Sequence, residues 1–347
     1  MPGTRRMAQS GARCWCGSGM AGRVVGARRD IRGFCPLGAD CQAWKPSQGA
    51  AIMVVMLTTD QIASFHRDGF IIARVFEPQD LLPVQREIAA HLDVRARALH
   101  AEGLIKDLHV DAPFATRFGL LAAQCDELHG GNDTTDILGD ELFALMRHRR
   151  MLAAVGSLLG AEITLNPIQH LRAKPPADAG RRLGYYEVPW HQDSAVTTAD
   201  ADGALVVTAW TPLLGASEEM GCMRLIPGFH RQGHVRHVHD PQYGTTVDPV
   251  LVPAEGHVVG ACLPGEVVLM GQFTPHCSTP NLSRICRWSL DLRYQATGGP
   301  SGRAWHPSTV LQSRRDPSSE VHDPGVWRRA WMEAKCRPNP GAKHRLG

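Results

Sequence analysis

The clearest structural signal in the chain is residues 287–294, which read Arg-Trp-Ser-Leu-Asp-Leu-Arg-Tyr. Apolar and polar side chains alternate along this segment, and in a β-strand successive side chains point to opposite faces of the sheet. One face therefore carries Trp288, Leu290, Leu292 and Tyr294, and the other carries Arg287, Ser289, Asp291 and Arg293. The pattern predicts a strand with one buried apolar face. Alternation alone leaves open whether the polar face meets solvent or lines a polar pocket.

Short apolar runs punctuated by Gly and Pro precede this strand, at residues 163–171, 204–210, 223–226 and 265–270. Such runs are typical of a β-sandwich or barrel.

The N-terminal half favours helices instead. Thr58 and Gln61 form a capping box before a short helix and an apolar strand at 70–75, and helical patterns follow Pro78 and recur at 114–127 and 140–159. A last helix is predicted at 325–335, with Trp327 and Trp331 on one packing face. We therefore expect a mainly β fold with α-helices.

The composition is that of an ordinary globular protein, with 43% hydrophobic and 20% charged residues among 347. No apolar run approaches the roughly 20 residues that cross a bilayer, so no membrane partner is expected. The ten cysteines form no paired C-x-x-C units, which argues against a zinc knuckle and favours a reducing, cytoplasmic compartment.

Basic charge is concentrated in residues 1–52, which hold seven Arg and one Lys against two acidic residues. This segment has no secondary-structure periodicity, and we expect a disordered or mis-annotated basic extension, with residues 53–347 as the functional domain. The remainder has a net charge of about −3. It lacks the basic stripe that phosphate backbones require, so no nucleic-acid partner is expected.

The sharpest chemical motif is His191-Gln192-Asp193. In an extended strand residues 191 and 193 point to the same side, so one imidazole and one carboxylate can meet one metal ion. Open iron sites use two histidines and one carboxylate, which requires a second, distant histidine. His276 supplies it, just after one predicted strand and just before another. Residues 230–240 are rich in histidine and form a rival metal candidate, for which a polar surface loop or a substrate-facing lid is expected.

These motifs resemble the phytanoyl-CoA dioxygenase family, from about Leu57 to the C-terminus. The resemblance rests on His191-x-Asp193, on His276-x-Ser278-x-x-Asn281-x-Ser283, and on an Arg eleven residues beyond His276. Further similarities are Lys174-Pro175-Pro176, Ala209-Trp210-Thr211-Pro212-Leu213 and Pro227-Gly228-Phe229-His230. The resemblance implies a double-stranded β-helix, a jelly roll of the cupin type, with helices packed on one sheet.

The resemblance also implies Fe(II), 2-oxoglutarate and O₂ as cofactors, with ascorbate in a supporting role. His191, Asp193 and His276 would hold the metal. Arg287 would bind the distal carboxylate of 2-oxoglutarate, a group that suits a bidentate guanidinium, with Arg284 and Arg293 as alternatives. By resemblance, Ser278, Trp210 and His170 would also line the cosubstrate pocket.

The reaction implied is hydroxylation of an unactivated C–H bond in a small molecule, with succinate and CO₂ as co-products. Related halogenases replace the carboxylate ligand with Gly or Ala, so Asp193 favours hydroxylation. A desaturase or cyclase would share the same residues, whereas a non-catalytic jelly-roll binding protein would not need them together. We expect a monomer or homodimer, and the sequence does not name the substrate.

Overall fold

The strands form two larger antiparallel sheets and one two-stranded sheet in a computed structural model, which describes residues 56–177, 187–338 and 344–346. The extension expected at residues 1–52 lies outside the described residues. The helices are α1 Thr59–Asp68, α2 Leu82–Ala101, α3 Phe114–Ala122, α4 Thr134–Ile137, α5 Asp140–Met146, α6 Arg149–Leu159 and α7 Pro324–Lys335. No helix among the described residues is long and apolar enough to cross a membrane.

The strands are β1 Phe70–Arg74, β2 Ile163–Leu165, β3 His170–Lys174, β4 Val188–His191, β5 Val206–Pro212, β6 Met223–Leu225, β7 His237–Asp240, β8 Gly244–Val247, β9 Val258–Gly260, β10 Glu266–Gly271, β11 His276–Ser278, β12 Arg287–Ala296 and β13 Thr309–Gln312. Within the described ranges, one sheet has the order β1-β10-β5-β12-β2-β13, with β3 also paired to β12. A smaller sheet has the order β4-β11-β6-β9, and β7 pairs with β8.

Strand β12 lies at the centre of the larger sheet. Its first half pairs with β3 and its last residues pair with β2, while β5 runs along its other edge. The two sheets and their connections form the expected jelly-roll, cupin-like fold.

The apolar face of β12 packs against the helices. Trp288 is 1% exposed and stacks on Phe114 with ring centroids 5.2 Å apart, and Phe118 meets the same indole edge-on at 5.1 Å. The Tyr294 hydroxyl donates a hydrogen bond to the Met146 carbonyl at 2.8 Å. This core of helix and sheet residues confirms that helices cover one face of the larger sheet.

A second, smaller core fills the space between the two sheets. It joins Trp210 and Val268 of the larger sheet to Met223 and Leu225 of the smaller one. The polar face of β12 belongs to this interior, since Arg287, Ser289 and Arg293 are all buried. The face left undecided by the sequence therefore lines the inside of the fold.

Several expected elements are divided in the structure. The apolar run 163–171 becomes β2 and β3, because Pro167 between them has no N–H to donate to a neighbouring strand. The helical pattern 140–159 becomes α5 and α6, and the helix expected at 114–127 ends at Ala122. The capping box at Thr58 and Gln61 is confirmed, with both of its hydrogen bonds present.

Candidate active site

Side chains from the smaller sheet and from the turn after β4 meet in a His-Asp-His cluster. One ligand atom each from His191, Asp193 and His276 lie within 4.8 Å of one another, and this is the metal-capable group found among the described residues. His191 on β4 and His276 on β11 are cross-strand partners whose ring centroids are 4.2 Å apart. The residues fit an open metal site of two imidazoles and one carboxylate.

Backbone carbonyls fix the orientation of both imidazoles. The Nδ1 of His191 lies 2.9 Å from the Pro189 carbonyl oxygen, and the Nδ1 of His276 lies 3.0 Å from that of Thr274. Because a carbonyl only accepts, each Nδ1 must carry the proton, which leaves each Nε2 lone pair to bind a metal. Burial and the neighbouring His276 lower the pKa of His191 to about 3, so its ring is neutral, as a metal requires.

Asp193 accepts three hydrogen bonds from two residues of the larger sheet. Arg293 donates from Nη2 to Oδ1 at 2.6 Å and from Nε to Oδ2 at 3.1 Å, and the Thr208 hydroxyl donates to Oδ2 at 2.5 Å. Each carboxylate oxygen has two lone pairs, so Oδ2 is fully used whereas Oδ1 retains one. The structure therefore favours Oδ1 as the metal-binding atom.

The charges around Asp193 keep it ionised. Burial alone would raise its pKa, but the positive charge and hydrogen bonds of Arg293, helped by His276 and His191, hold the pKa well below its ordinary range. Arg293 was an alternative cosubstrate anchor in the sequence, but its Nε and Nη2 are engaged by Asp193 and its Nη1 donates to the Ile168 carbonyl at 3.0 Å. It supports a metal ligand instead.

Only the histidine of the His-x-Asp motif lies on a β-strand. Strand β4 ends at His191, and Asp193 opens a short 3₁₀ turn over Asp193–Val196. The expectation that 191 and 193 share one side of a continuous strand was therefore wrong in detail. The turn still brings the carboxylate to the imidazole, because Gln192 between them is fully buried and fixed by its own hydrogen bonds.

The histidine-rich segment 230–240 forms hydrogen bonds with Gln192. The Gln192 side chain donates to the carbonyls of Gly233 at 2.8 Å and Phe273 at 2.7 Å, and it accepts from the Val235 amide at 2.9 Å. The Gln192 amide donates to His237 Nε2 at 3.2 Å, while His237 Nδ1 faces the Val235 carbonyl at 2.8 Å. Both nitrogens of His237 are thus used, which leaves it no metal-binding lone pair. The prediction of an exposed loop is wrong for His237, which is buried in β7.

Arg345, near the end of the sequence, contacts the same turn. Its guanidinium donates to the Ser194 carbonyl from Nε at 3.0 Å and from Nη2 at 2.7 Å, and it pairs with both oxygens of Asp202 at 2.7 and 2.8 Å. Its amide donates to the Ala195 carbonyl at 2.8 Å. No sequence pattern pointed to this contact.

Arg287 is buried and forms few hydrogen bonds with the described residues. Its side chain is 4% exposed, and its guanidinium carbon lies 5.2 Å from the centre of the Trp210 ring. Nη1 donates to the Ser289 hydroxyl at 2.8 Å, whereas the buried Nε has no hydrogen-bond partner within the described part of the chain. Arg284, the other alternative anchor, is exposed. Arg287 is therefore the interior arginine with capacity to bind a ligand.

Ser278 lies two residues beyond His276, roughly 7 Å along β11 on the same face. Its hydroxyl oxygen accepts from the Lys174 ammonium at 2.8 Å and from the Val188 amide at 3.3 Å. Lys174 was noted in the sequence only as part of a Lys-Pro-Pro motif. The spacing of that motif gave no sign of its contact with Ser278.

His170 has a structural partner. Its Nδ1 lies 2.8 Å from Asp133 Oδ2, and Asp133 also caps α4 and accepts from the Leu171 amide at 2.8 Å. Although burial opposes it, the hydrogen bond and charge of His170 lower the Asp133 pKa to about 2. A cosubstrate role for His170 stays a prediction, and this contact favours a role in anchoring α4 to β3.

Comparisons with known proteins identify relatives of this chain. The chain is 29% identical over 168 residues to 1-deoxypentalenic acid 11-beta-hydroxylase of Streptomyces exfoliatus, a match that spans 46% of this chain and 58% of that relative. It is 24% identical over 302 residues to phytanoyl-CoA dioxygenase domain-containing protein 1 of Bos taurus, covering 78% of this chain and 99% of the relative.

Among solved structures, the non-heme monooxygenase ThoJ in its apo form is similar in fold. Its TM-score is 0.57 at 17% identity, covering 80% of this chain and 95% of that one. The sequence model of the phytanoyl-CoA dioxygenase family matches residues 65–288, which include all three residues of the His-Asp-His cluster and Arg287. The chain belongs to the phytanoyl-CoA dioxygenase family.

Proposed function

We propose that this enzyme is an Fe(II)- and 2-oxoglutarate-dependent hydroxylase of a small molecule. The observation that carries the proposal is the cluster of His191, Asp193 and His276, in which both Nε2 atoms and Asp193 Oδ1 retain lone pairs for one metal. A bound Fe(II) would supply the oxygen chemistry, in which the cosubstrate becomes succinate and CO₂ and the substrate gains one oxygen atom.

The chain itself supplies ligands, orientation and a dry interior. Arg287 would hold the distal carboxylate of the cosubstrate, because a guanidinium offers paired donors and this one is buried without a carboxylate partner among the described residues. Trp210 stacks against that guanidinium and excludes water from it. The apolar core between the sheets limits access of solvent to the metal.

Two observations support hydroxylation, of which the first argues against halogenation alone. The carboxylate ligand Asp193 is present, whereas halogenases of this kind lack it, and one relative is named a hydroxylase. The acidic body of the chain offers no evident clamp for the phosphates of coenzyme A. We therefore propose a substrate other than an acyl-CoA.

The test begins with the purified full chain, loaded with Fe(II) and 2-oxoglutarate without oxygen. We expect one iron per chain, and succinate on exposure to O₂ with a metabolite library. His191→Ala, Asp193→Ala and His276→Ala should each lose iron and succinate formation. His239→Ala is the matched control, because His239 is exposed in the histidine-rich segment.

Product mass then identifies the reaction. A gain of one oxygen atom supports hydroxylation, whereas a loss of two hydrogens would replace the proposal with desaturation or ring closure. Full iron occupancy in all three ligand variants would exclude the proposed metal site.

A further inference from the structure

Two buried cations face each other across neighbouring strands. Lys174 on β3 is the direct cross-strand partner of Arg287 on β12, so both side chains lie on the same face of the sheet. Lys174 is 2% exposed and Arg287 is 4% exposed. Among the described residues, neither forms an ion pair with a carboxylate. Asp291, the acidic group that acts on Arg287, lies 3.6 Å from Arg172 instead.

Adjacent buried like charges are unfavourable unless an anion joins them. The contacts of Lys174 with the described residues do not supply one, because its ammonium donates there to neutral oxygens, Ser278 Oγ at 2.8 Å and the Thr279 carbonyl at 2.5 Å. The ammonium has three donors, so one remains for a further acceptor. When Lys174 is protonated, the pair therefore forms a site of net charge +2 that fits a small carboxylate.

Ser278 completes this site. Both lone pairs of its hydroxyl oxygen are occupied, one by Lys174 and one by the Val188 amide. Its own proton is therefore left to donate, and a carboxylate is the strongest acceptor for it. Lys174 thus sets the direction of the Ser278 hydroxyl as well as adding charge.

We propose that Lys174 is a second cationic partner of the cosubstrate's distal carboxylate, acting beside Arg287 and through Ser278. This inference rests on the proposed function and deepens it, because it names the residue that couples cosubstrate selection to pH. The alternative is a purely structural role, in which Lys174 only ties β3 to the end of β11.

The protonation of Lys174 supports the proposal. Burial and the charge of Arg287 lower its pKa to about 7, and Glu187, Cys277 and Cys222 oppose this shift only weakly. Without ligand, the lysine is charged below that pH and neutral above it. An anion favours the charged form, so binding above pH 7 must take up a proton. The affinity for 2-oxoglutarate should then fall by up to about tenfold per pH unit.

The test uses two ligands that differ at one group. 2-Oxoglutarate and 2-oxopentanoate have the same five-carbon chain and chelating end, but the second has a methyl group where the first has its distal carboxylate. Binding of each to the Zn(II)-loaded full chain is measured by calorimetry from pH 6 to 9. Protonation of the metal-binding residues affects the binding of the two oxo acids equally. The ratio of their affinities therefore reports only the contribution of the distal carboxylate.

We expect the wild-type ratio to favour 2-oxoglutarate at pH 6 and to decline above pH 7. Lys174→Met should weaken 2-oxoglutarate binding at pH 6 by about 10- to 100-fold, as for a lost hydrogen bond to a charged group. It should leave 2-oxopentanoate binding unchanged and make the ratio independent of pH. Lys106→Met, which removes an exposed lysine, is the control.

Equal losses for both ligands in Lys174→Met would overturn the inference in favour of a structural role. If Lys174→Met fails to fold, the wild type alone still tests the inference. A ratio of 2-oxoglutarate to 2-oxopentanoate affinity that does not change with pH would overturn the inference. If the metal-loaded wild type bound neither oxo acid, the proposed function itself would fail.

Discussion

Arg293 and Asp193 lie 100 residues apart in the chain, yet the guanidinium donates to both oxygens of the carboxylate. Their side chains are 6% and 4% exposed, so this ion pair is buried. The pair leaves one lone pair on Asp193 for a metal and neutralises the carboxylate when no metal is bound. Arg293 therefore makes the ligand set compatible with a folded metal-free protein.

Replacement of Arg293 by Met should destabilise the metal-free protein by about 3–5 kcal/mol, because it leaves a buried carboxylate without its partner. Urea denaturation measures the loss. The double variant Asp193→Leu/Arg293→Met serves as the control and should lose less stability than Arg293→Met alone, since no charge remains unpaired. A single variant as stable as the wild type would show that the pair is not needed in the apo state.

Thr208→Val should weaken metal binding by roughly 10- to 100-fold, the usual effect of removing a hydrogen bond to a metal ligand. Thr208→Ser should retain wild-type affinity, because it keeps the hydroxyl that donates to Asp193. Thr211→Val is the control, a buried threonine on the same strand whose hydroxyl faces only the Ala209 carbonyl. Titration with Zn(II) against a competing chelator gives the affinities, and equal values for Thr208→Val and Thr211→Val would contradict the prediction.

Arg287→Ala should raise the 2-oxoglutarate requirement by about 30-fold or more and leave iron binding nearly unchanged. The expected cost is on the order of 2–5 kcal/mol, as for truncation of a buried charge pair, and each 1.4 kcal/mol is about tenfold. Arg287→Lys should rescue binding only in part, because one ammonium lacks the paired donors. Cosubstrate titration is the measurement. If Arg287→Ala bound 2-oxoglutarate normally and Arg284→Ala, at an exposed position, lost most of its affinity, the anchor would be Arg284 instead.

Arg345→Ala should loosen the turn that carries Asp193 while changing global stability by less than about 1 kcal/mol, since the ion pair with Asp202 is partly exposed. Hydrogen exchange should become faster at residues 194–197, because Arg345 donates to the carbonyls of Ser194 and Ala195 in this turn. Arg337→Ala, which removes only an exposed contact with Glu333, is the control. Unchanged exchange in this turn would mean that Arg345 does not restrain it.

A chain that begins at Met56 should remain folded and active. Leu57 is buried and its amide donates to the Ser157 hydroxyl at 3.2 Å, so the packed structure has begun by that point. Thermal unfolding and succinate formation, compared with the full chain, test the expectation for residues 1–52. A large loss of folded protein would show that the extension contributes to the fold.

Local patterns were sufficient to identify the three residues of the His-Asp-His cluster, while the anchor role of Arg287 stays a prediction. His191, Asp193 and His276 meet as expected, and burial distinguishes Arg287 from exposed Arg284. The pairing of Arg293 with Asp193 could not be predicted, because it depends on which strands are neighbours and on their register. Strand alternation correctly separated the two faces of β12 but carried no information on what covers each face.

The role of the Lys-Pro-Pro motif and of the histidine-rich segment was missed for a related reason. Lys174 is informative only when its register with Arg287 and its contact with Ser278 are known. His237 appeared to be a metal candidate because imidazole is a common ligand, but its two nitrogens are used by the backbone. The type of a residue indicates which roles its side chain can have. Its neighbours in the structure determine which of those roles it has.

Strand β12 places the proposed anchor Arg287 and the Asp193 partner Arg293 six residues apart, while Trp288 and Leu292 on its reverse side pack against the helices. Insertion or deletion of one residue within it would move each set to the opposite face. Such a change would bury arginines among the helices and turn the Trp288 indole toward the interior that holds the His-Asp-His cluster. We therefore expect the length of β12 to be fixed in any functional descendant of this chain, so that new substrate preferences arise by substitution or by changes in loop length elsewhere.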